Sequence, residues 1–255
     1  MRELVTLGTA FMFLTRLPVG RFCSGDSAVL ARSTRYFPLI GCIVGVVLSL
    51  SLWLLQLVFP ALIAVVLMLV LSLLLTGALH EDGLADVADS AGAHERERKL
   101  EIMRDSQVGS YGVLALILVM FIKVSAIWEL VKLDMALCFA TLVCAHACSR
   151  WSSVWLMAHV NYARASAANK ALSDGVKAKQ SGQATACLLL VFVPVALLVT
   201  PGLYALLPLT WFVSWLCARR FEAAFGGITG DCLGAANQIV ESMVYLAVLA
   251  VVVWH

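Results

Sequence analysis

Long apolar runs separated by short polar segments dominate the chain. A transmembrane helix needs about 20 mostly apolar residues. Stretches of that kind lie near Tyr36 to Gln56, Pro60 to Leu79, Gly112 to Val131, Met135 to Leu156, Thr185 to Val199, Gly202 to Cys217 and Val240 to Trp254. The fifth and sixth are short and are parted by Pro201-Gly202, a tight-turn pair. Ahead of them, Leu4 to Leu14 is apolar behind Arg2, but no small-x-small cleavage site follows before Thr15-Arg16-Leu17-Pro18. This stretch therefore reads as a retained interfacial or re-entrant helix rather than a signal peptide. The predicted fold class is all-α, a polytopic transmembrane helix bundle of about seven spans plus that N-terminal helix. No repeat or linker divides it, so residues 1–255 are expected to form one integral membrane domain.

Composition agrees: 62% of the residues are hydrophobic, 13% are charged, and the mean hydropathy is +0.93. Soluble domains carry about 45–50% apolar and about 25% charged residues, so a water-soluble globule is excluded. A formal charge of +2 leaves no basic field of the kind that nucleic-acid binding requires. The eight cysteines include no CxxC pair and fall mostly in apolar runs, as small core hydrophobes do.

Charge then orients the bundle. With the N-terminus in the cytoplasm, the inner segments hold 15 of the 18 Lys and Arg residues. They are Arg2, Arg16, Arg21, Arg32 and Arg35; Arg96, Arg98, Lys99 and Arg104; Arg164, Lys170, Lys177 and Lys179; and Arg219 with Arg220. The outer turns hold only Lys132, while Lys123 and Arg150 fall within spans. This asymmetry follows the positive-inside rule. The inner connections are also the long ones, so the chemistry is expected to face the cytoplasm.

Half of the 16 acidic residues lie in the inner segment after the second span. Its first part reads ALHEDGLADVADS, Ala78 to Ser90, with Asp82, Asp86 and Asp89 at i, i+4 and i+7. On a helix these three carboxylates share one face, where their repulsion calls for a positive partner. A divalent cation with hard oxygen ligands, Mg²⁺ above all, fits, and it would complete its shell with water and substrate phosphates. His94 to Lys99, HERERK, alternates in sign and reads instead as a solvated helix. Downstream, Gly109-Ser110-Tyr111-Gly112 precedes the third span, where free N–H groups at a helix start could meet an anion, with Arg104 adding a guanidinium fork.

A second constellation, GGITGDCLGAANQIVE from Gly226 to Glu241, places Asp231, Gly234, Gln238 and Glu241 along one side of a helix. Glu241 enters an apolar span and needs a partner. It either completes a two-sided phosphate and metal site with Asp231, or pairs as a buried structural carboxylate with Lys123 or Arg150. Those two cations in turn suit either a substrate phosphate or a carboxylate, and His146 reads as a packing residue.

Together these motifs resemble the cobalamin synthase family, the adenosylcobinamide-GDP ribazoletransferases that complete the nucleotide loop of vitamin B12. The resemblance is carried in order by FLTRLPV (Phe13 to Val19), FPLIGCIVG (Phe37 to Gly45), TGALHEDGLADVADS (Thr76 to Ser90), IMRDSQVGSYG (Ile102 to Gly112) and TGDCLGA (Thr229 to Ala235). It departs at Glu81, where the family commonly has an apolar residue, at Ser90 for Gly, and at Gln238 for Glu.

The resemblance implies a Mg²⁺-dependent enzyme of the bacterial cytoplasmic membrane. Its substrates would be adenosylcobinamide-GDP and α-ribazole or its 5′-phosphate, with GMP released. Its partners would be those substrates and the lipid bilayer, not nucleic acid; a homo-oligomer is left open. Asp82, Asp86, Asp89, Asp231 and Glu241 would hold the metal, and the proton of the attacking hydroxyl would go to Asp89, with His80 and Asp86 as further catalytic candidates. Arg16, Arg104, Asp105, Ser106, Lys123, Arg150, Gly234 and Gln238 would bind substrate. The competing readings are another membrane transferase, of CDP-alcohol phosphotransferase or aromatic prenyltransferase type, and an ion-coupled transporter with midplane carboxylates. The chain lacks the Ala-Arg and GxxxDxxxD signature of the CDP-alcohol phosphotransferases and the second DxxxD of the aromatic prenyltransferases, and its carboxylates cluster at the cytoplasmic boundary rather than at a transporter's midplane.

Overall fold

The computed structural model describes residues 2–163, 176 and 178–253. Arg164, Lys170 and Lys177, counted above among the inner cations, and Trp254 and His255 lie outside the described residues. Eleven α-helices can be followed among the described residues: α1 (Arg2–Leu14), α2 (Ser27–Ser33), α3 (Phe37–Gln56), α4 (Ala61–Thr76), α5 (Leu79–Ser90), α6 (Arg96–Ile102), α7 (Ser110–Leu133), α8 (Met135–His159), α9 (Ala178–Val199), α10 (Leu206–Phe225) and α11 (Gly230–Val253).

Among the described residues five helices are long and apolar enough to cross a membrane, and the bent pair α4–α5 would make a sixth. About seven spans were expected. The difference is α8, whose 25 residues reach about 37 Å at 1.5 Å each, longer than the roughly 30 Å hydrocarbon core. It falls short in apolarity because 19 of its residues are buried against other helices, Thr141, Ser149, Arg150 and Ser152 among them. A helix surrounded by protein does not have to match the lipid. α3 lies along α8 at close range: a Cβ at Gly41 would meet the His146 carbonyl O at 2.1 Å, and one at Gly45 would meet the Val143 Cα at 2.6 Å. Small residues of this spacing let two helix backbones touch. The outer helices turn large apolar side chains outward, such as Trp53, Leu74, Phe121, Leu190 and Trp211.

The connections differ between the two ends. Residues 57–60, Asp134 alone, and Thr200 with the turn Pro201–Ala205 close one end. A longer segment, residues 91–109, lies at the other, as do residues 160–163 after α8. At that longer end α4 stops at Gly77 and Ala78, both left-handed with φ of 68° and 55°, and the chain turns by 90° into α5. α5 is thereby turned out of the line of α4. It lies instead against the start of α11, where Gly83 and Gly234 face each other: a Cβ at Gly83 would meet the Asp231 carbonyl O at 2.7 Å, and one at Gly234 the His80 carbonyl O at 3.1 Å.

Candidate active site at the end of the bundle

The α5–α11 crossing decides which carboxylates meet. Beside it opens a cavity of about 300 Å³, lined by the polar residues His80, Asp82, Ser153, Tyr162 and Asp231 and by the apolar residues Phe13, Leu14, Phe37, Leu79 and Met157. Asp82 is exposed there, and Asp86 one turn on is half-buried. Asp231, in the first turn of α11, accepts a hydrogen bond from the Thr229 hydroxyl at 3.1 Å. Partial burial, followed by the charges of Asp231, Asp82 and Asp89, pushes the Asp86 carboxyl up to about 6. Asp86 thus feels three other carboxylates, of which Asp82 and Asp231 line the cavity, the repulsion expected from the i, i+4, i+7 stripe with a fourth member added by α11.

Asp89 has a different task from the one expected. Its two oxygens accept from the backbone N–H of Gly109 and of Gly112, each at 2.8 Å. The N–H groups expected to receive a substrate anion at the start of α7 are therefore satisfied by a carboxylate of this chain, as in a helix cap. Glycine stands at both positions for lack of space: a Cβ at Gly109 or Gly112 would lie 2.5 or 2.3 Å from an Asp89 oxygen. Any metal-ligand or base role of Asp89 would therefore fall to the lone pairs that these two bonds leave over.

Glu241 takes the geometry of the alternative reading, a buried carboxylate paired with Lys123 and Arg150. It is 2% exposed and lies away from the aspartates, with Oε1 2.7 Å from Lys123 Nζ and 3.3 Å from the Tyr245 hydroxyl, and with Oε2 3.2 Å from Arg150 Nη1. Arg150 Nη1 also lies 2.9 Å from the Ser149 hydroxyl and 2.7 Å from His146 Nδ1. A guanidinium only donates, so His146 accepts at Nδ1 and its proton sits on Nε2. Lys123 and Arg150 are thus held by a carboxylate inside the bundle rather than presented to a substrate phosphate. Glu81 joins them, its Oε1 3.8 Å from Lys123 Nζ. That acidic departure from the family pattern has a cation facing it.

His80 lies between the two groups. Burial, then the nearby Arg150 charge, holds its imidazole well below the ordinary range and therefore neutral, and its Nδ1 has no protein partner among the described residues. The same holds for Gln238 Oε1 and the Asn237 amide. Arg104, Asp105 and Ser106 stand exposed in the loop before α7, where Asp105 accepts from the Gln107 N–H at 3.1 Å. Arg16 packs over Gly77 at the α4–α5 break, and its N–H donates to the Leu75 carbonyl at 2.8 Å. Ser153 and Tyr162, which line the cavity, carried no signal in the sequence beyond lying near a helix end.

Among the described residues no three His, Cys, Asp or Glu side chains converge closely enough to cage an ion. The donor set nonetheless suits Mg²⁺, which takes one or two carboxylates and keeps its remaining positions for water and phosphate oxygens. Asp82, Asp86 and Asp231 are the carboxylates that could supply them.

The model of the cobalamin-5-phosphate synthase family matches residues 6–249. The chain is similar to the adenosylcobinamide-GDP ribazoletransferase of Shewanella amazonensis, 40% identical over 256 residues that cover 97% of this chain and 96% of that protein. The protein of the same name from Shewanella frigidimarina is 37% identical, covering 98% and 96%, and that from Ralstonia pickettii 37%, covering 96% and 94%. No solved structure matches.

Proposed function

The chain belongs to the cobalamin-5-phosphate synthase family, and on that premise we propose that the cavity beside α5 and α11 carries out the family's transfer. The adenosylcobinamide-phosphate moiety of adenosylcobinamide-GDP passes to the 5′-hydroxyl of α-ribazole or its 5′-phosphate, and GMP leaves. The observation that carries this reading is that Asp82 and Asp231 line one cavity together with apolar side chains, with Asp86 close enough to feel both charges.

The substrate contains a pyrophosphate, so charge accumulates on the phosphate oxygens as GMP departs. Asp82, Asp86 and Asp231 would hold Mg²⁺ against those oxygens. When bound, the cation supplies positive charge that three carboxylates alone cannot. The apolar wall, Phe13, Leu14, Phe37 and Leu79, excludes water from the reacting phosphorus and favours the alcohol over hydrolysis. His80, kept neutral by burial and by Arg150, offers its free Nδ1 as the acceptor that orients the attacking hydroxyl. Asp89 acts one step removed: by capping α7 it fixes the loop carrying Arg104, Asp105 and Ser106 at the end where the cavity opens.

The positive-inside asymmetry supports a cytoplasmic placement of this end in the bacterial inner membrane. The test is incubation of the purified protein with adenosylcobinamide-GDP, α-ribazole and Mg²⁺, with product mass and GMP release as readouts. GMP release that tracks corrinoid product and is lost on chelation is expected. Absence of product from protein that retains its fold refutes the reading. An ion-coupled transporter would show flux in vesicles and no covalent product.

A further inference from the structure

A second polar cavity, of about 540 Å³, opens between α1 and α2, away from the aspartates. Its walls include Arg2, Glu3 and Thr6 of α1, Arg32 of α2, and Arg35 just beyond it. Three guanidiniums therefore face one space with a single carboxylate among them. Glu3 is engaged by Arg35 and accepts from the Tyr36 hydroxyl at 2.8 Å. Arg2 and Arg32 have no carboxylate within 4.0 Å among the described residues. The Arg35 Nε–H is buried and has no protein acceptor. A guanidinium cluster with net charge of two and an unmet buried donor is built for an anion with several oxygens, since a phosphate accepts from forked N–H pairs.

Its position says which phosphate. Arg32 and Arg35 immediately precede α3, within the apolar stretch Ser27–Gln56 that is long enough to cross a membrane. The cavity therefore lies where a span leaves the hydrocarbon, at the depth of lipid headgroups. α1, which supplies Arg2, also carries the exposed apolar side chains Leu4 and Met12.

We infer that this cavity binds the phosphate headgroup of an anionic phospholipid. The site has a consequence for the reaction cavity, because α2 stands between the two. Val29 and Arg32 face the guanidinium cavity, whereas Leu30, with Thr34 just after the helix, lines the wall of the reaction cavity. A headgroup held by Arg2, Arg32 and Arg35 braces that wall from behind without touching a reacting atom.

The experiment uses the full chain in nanodiscs of phosphatidylcholine alone or doped with phosphatidylglycerol, read by native mass spectrometry for retained lipid and by melting temperature. Wild type should retain phosphatidylglycerol in preference to phosphatidylcholine and melt higher in its presence. Each arginine near an anionic lipid contributes about 1 kcal/mol, so Arg32→Gln should weaken that preference roughly fivefold while melting like wild type in pure phosphatidylcholine. Arg32→Gln leaves the Arg35–Glu3 pair intact, which separates headgroup loss from misfolding; Arg2→Gln is the second variant and should behave alike. Equal retention by wild type and both variants overturns the site. So does an equal melting gain when inorganic phosphate is added to phosphatidylcholine discs, which would assign the cavity to a free anion.

Discussion

Replacing Glu241 by Gln separates a structural from a catalytic reading of the inner cluster most sharply. The wild-type carboxylate is 2% exposed and meets Lys123 Nζ at 2.7 Å, Arg150 Nη1 at 3.2 Å and the Tyr245 hydroxyl at 3.3 Å. Glutamine keeps the shape and removes the charge, leaving two buried cations with only Glu81, 3.8 Å from Lys123, as an anion. Breaking one side of a buried pair costs about 3–5 kcal/mol, a fifth or more of the roughly 5–15 kcal/mol that holds an ordinary domain together. For a chain of this size each kcal/mol moves the melting temperature by about 2–4 °C, so a drop of roughly 6–20 °C is expected. The assay is a melting curve in detergent beside a turnover measurement on the fraction that remains folded. The folded fraction should keep most of its turnover. A variant that melts like wild type and is catalytically dead would return Glu241 to the reaction site.

Three further perturbations address the carboxylates at the cavity. In Asp89→Asn the amide has one accepting oxygen, so one of the Gly109 and Gly112 N–H groups loses its acceptor. A melting loss worth about 1–2 kcal/mol with turnover partly kept is expected, whereas Asp82→Asn and Asp231→Asn should melt normally and lose turnover; the same phenotype in all three would show that the cap carries no separate role. The Asp86 carboxyl is raised in the folded protein from 3.8 to about 6, so the folded state holds that proton more tightly than the unfolded chain. Its contribution to stability is present in acid and is lost as pH rises through about 6. Asp86→Asn should therefore raise the melting temperature well above pH 6 and leave it unchanged well below pH 4, while in wild type the affinity for Mg²⁺ falls as pH drops through 6. A pH-independent difference in melting contradicts this. In Gly83→Ala the new Cβ would sit 2.7 Å from the Asp231 carbonyl O, forcing α5 from α11 and shifting Asp231 relative to Asp82. Misplacement on the scale of 1 Å costs about 100-fold in turnover. Gly234→Ala, with its nearest contact at 3.1 Å, should lose less, and equal full activity in both would show that the crossing does not set the site.

What the sequence determined by itself was whatever depends on local periodicity and on the solvent. Hydrophobic runs of membrane length must be helical because lipid offers no partner to a backbone N–H or C=O, so the helical class and most helix positions were legible. The face shared by Asp82, Asp86 and Asp89 followed from the 3.6-residue turn alone, but the raised Asp86 carboxyl owes most to burial and then to Asp231, both tertiary, with Asp82 and Asp89 adding less. Even the partners of Glu241 were among the alternatives, since a buried charge in a span must find one. α8 was the exception among spans, because a helix enclosed by others answers to their side chains rather than to lipid.

Tertiary structure decided how those carboxylates divide their work. Asp89 faces the same way as Asp82 along α5, yet it caps α7 because the backbone of Gly109 and Gly112, some 20 residues away in the chain, arrives beside it. Asp231 and Glu241 share one side of α11, but ten residues of helix rise separate them by about 15 Å. One therefore opens on the cavity mouth and the other on Lys123 and Arg150 inside the bundle. Helical phase is a property of the sequence. Depth along the helix, and what stands opposite at that depth, is set by where neighbouring helices cross, and here that crossing is fixed by the contact of Gly83 with Asp231 and of Gly234 with His80.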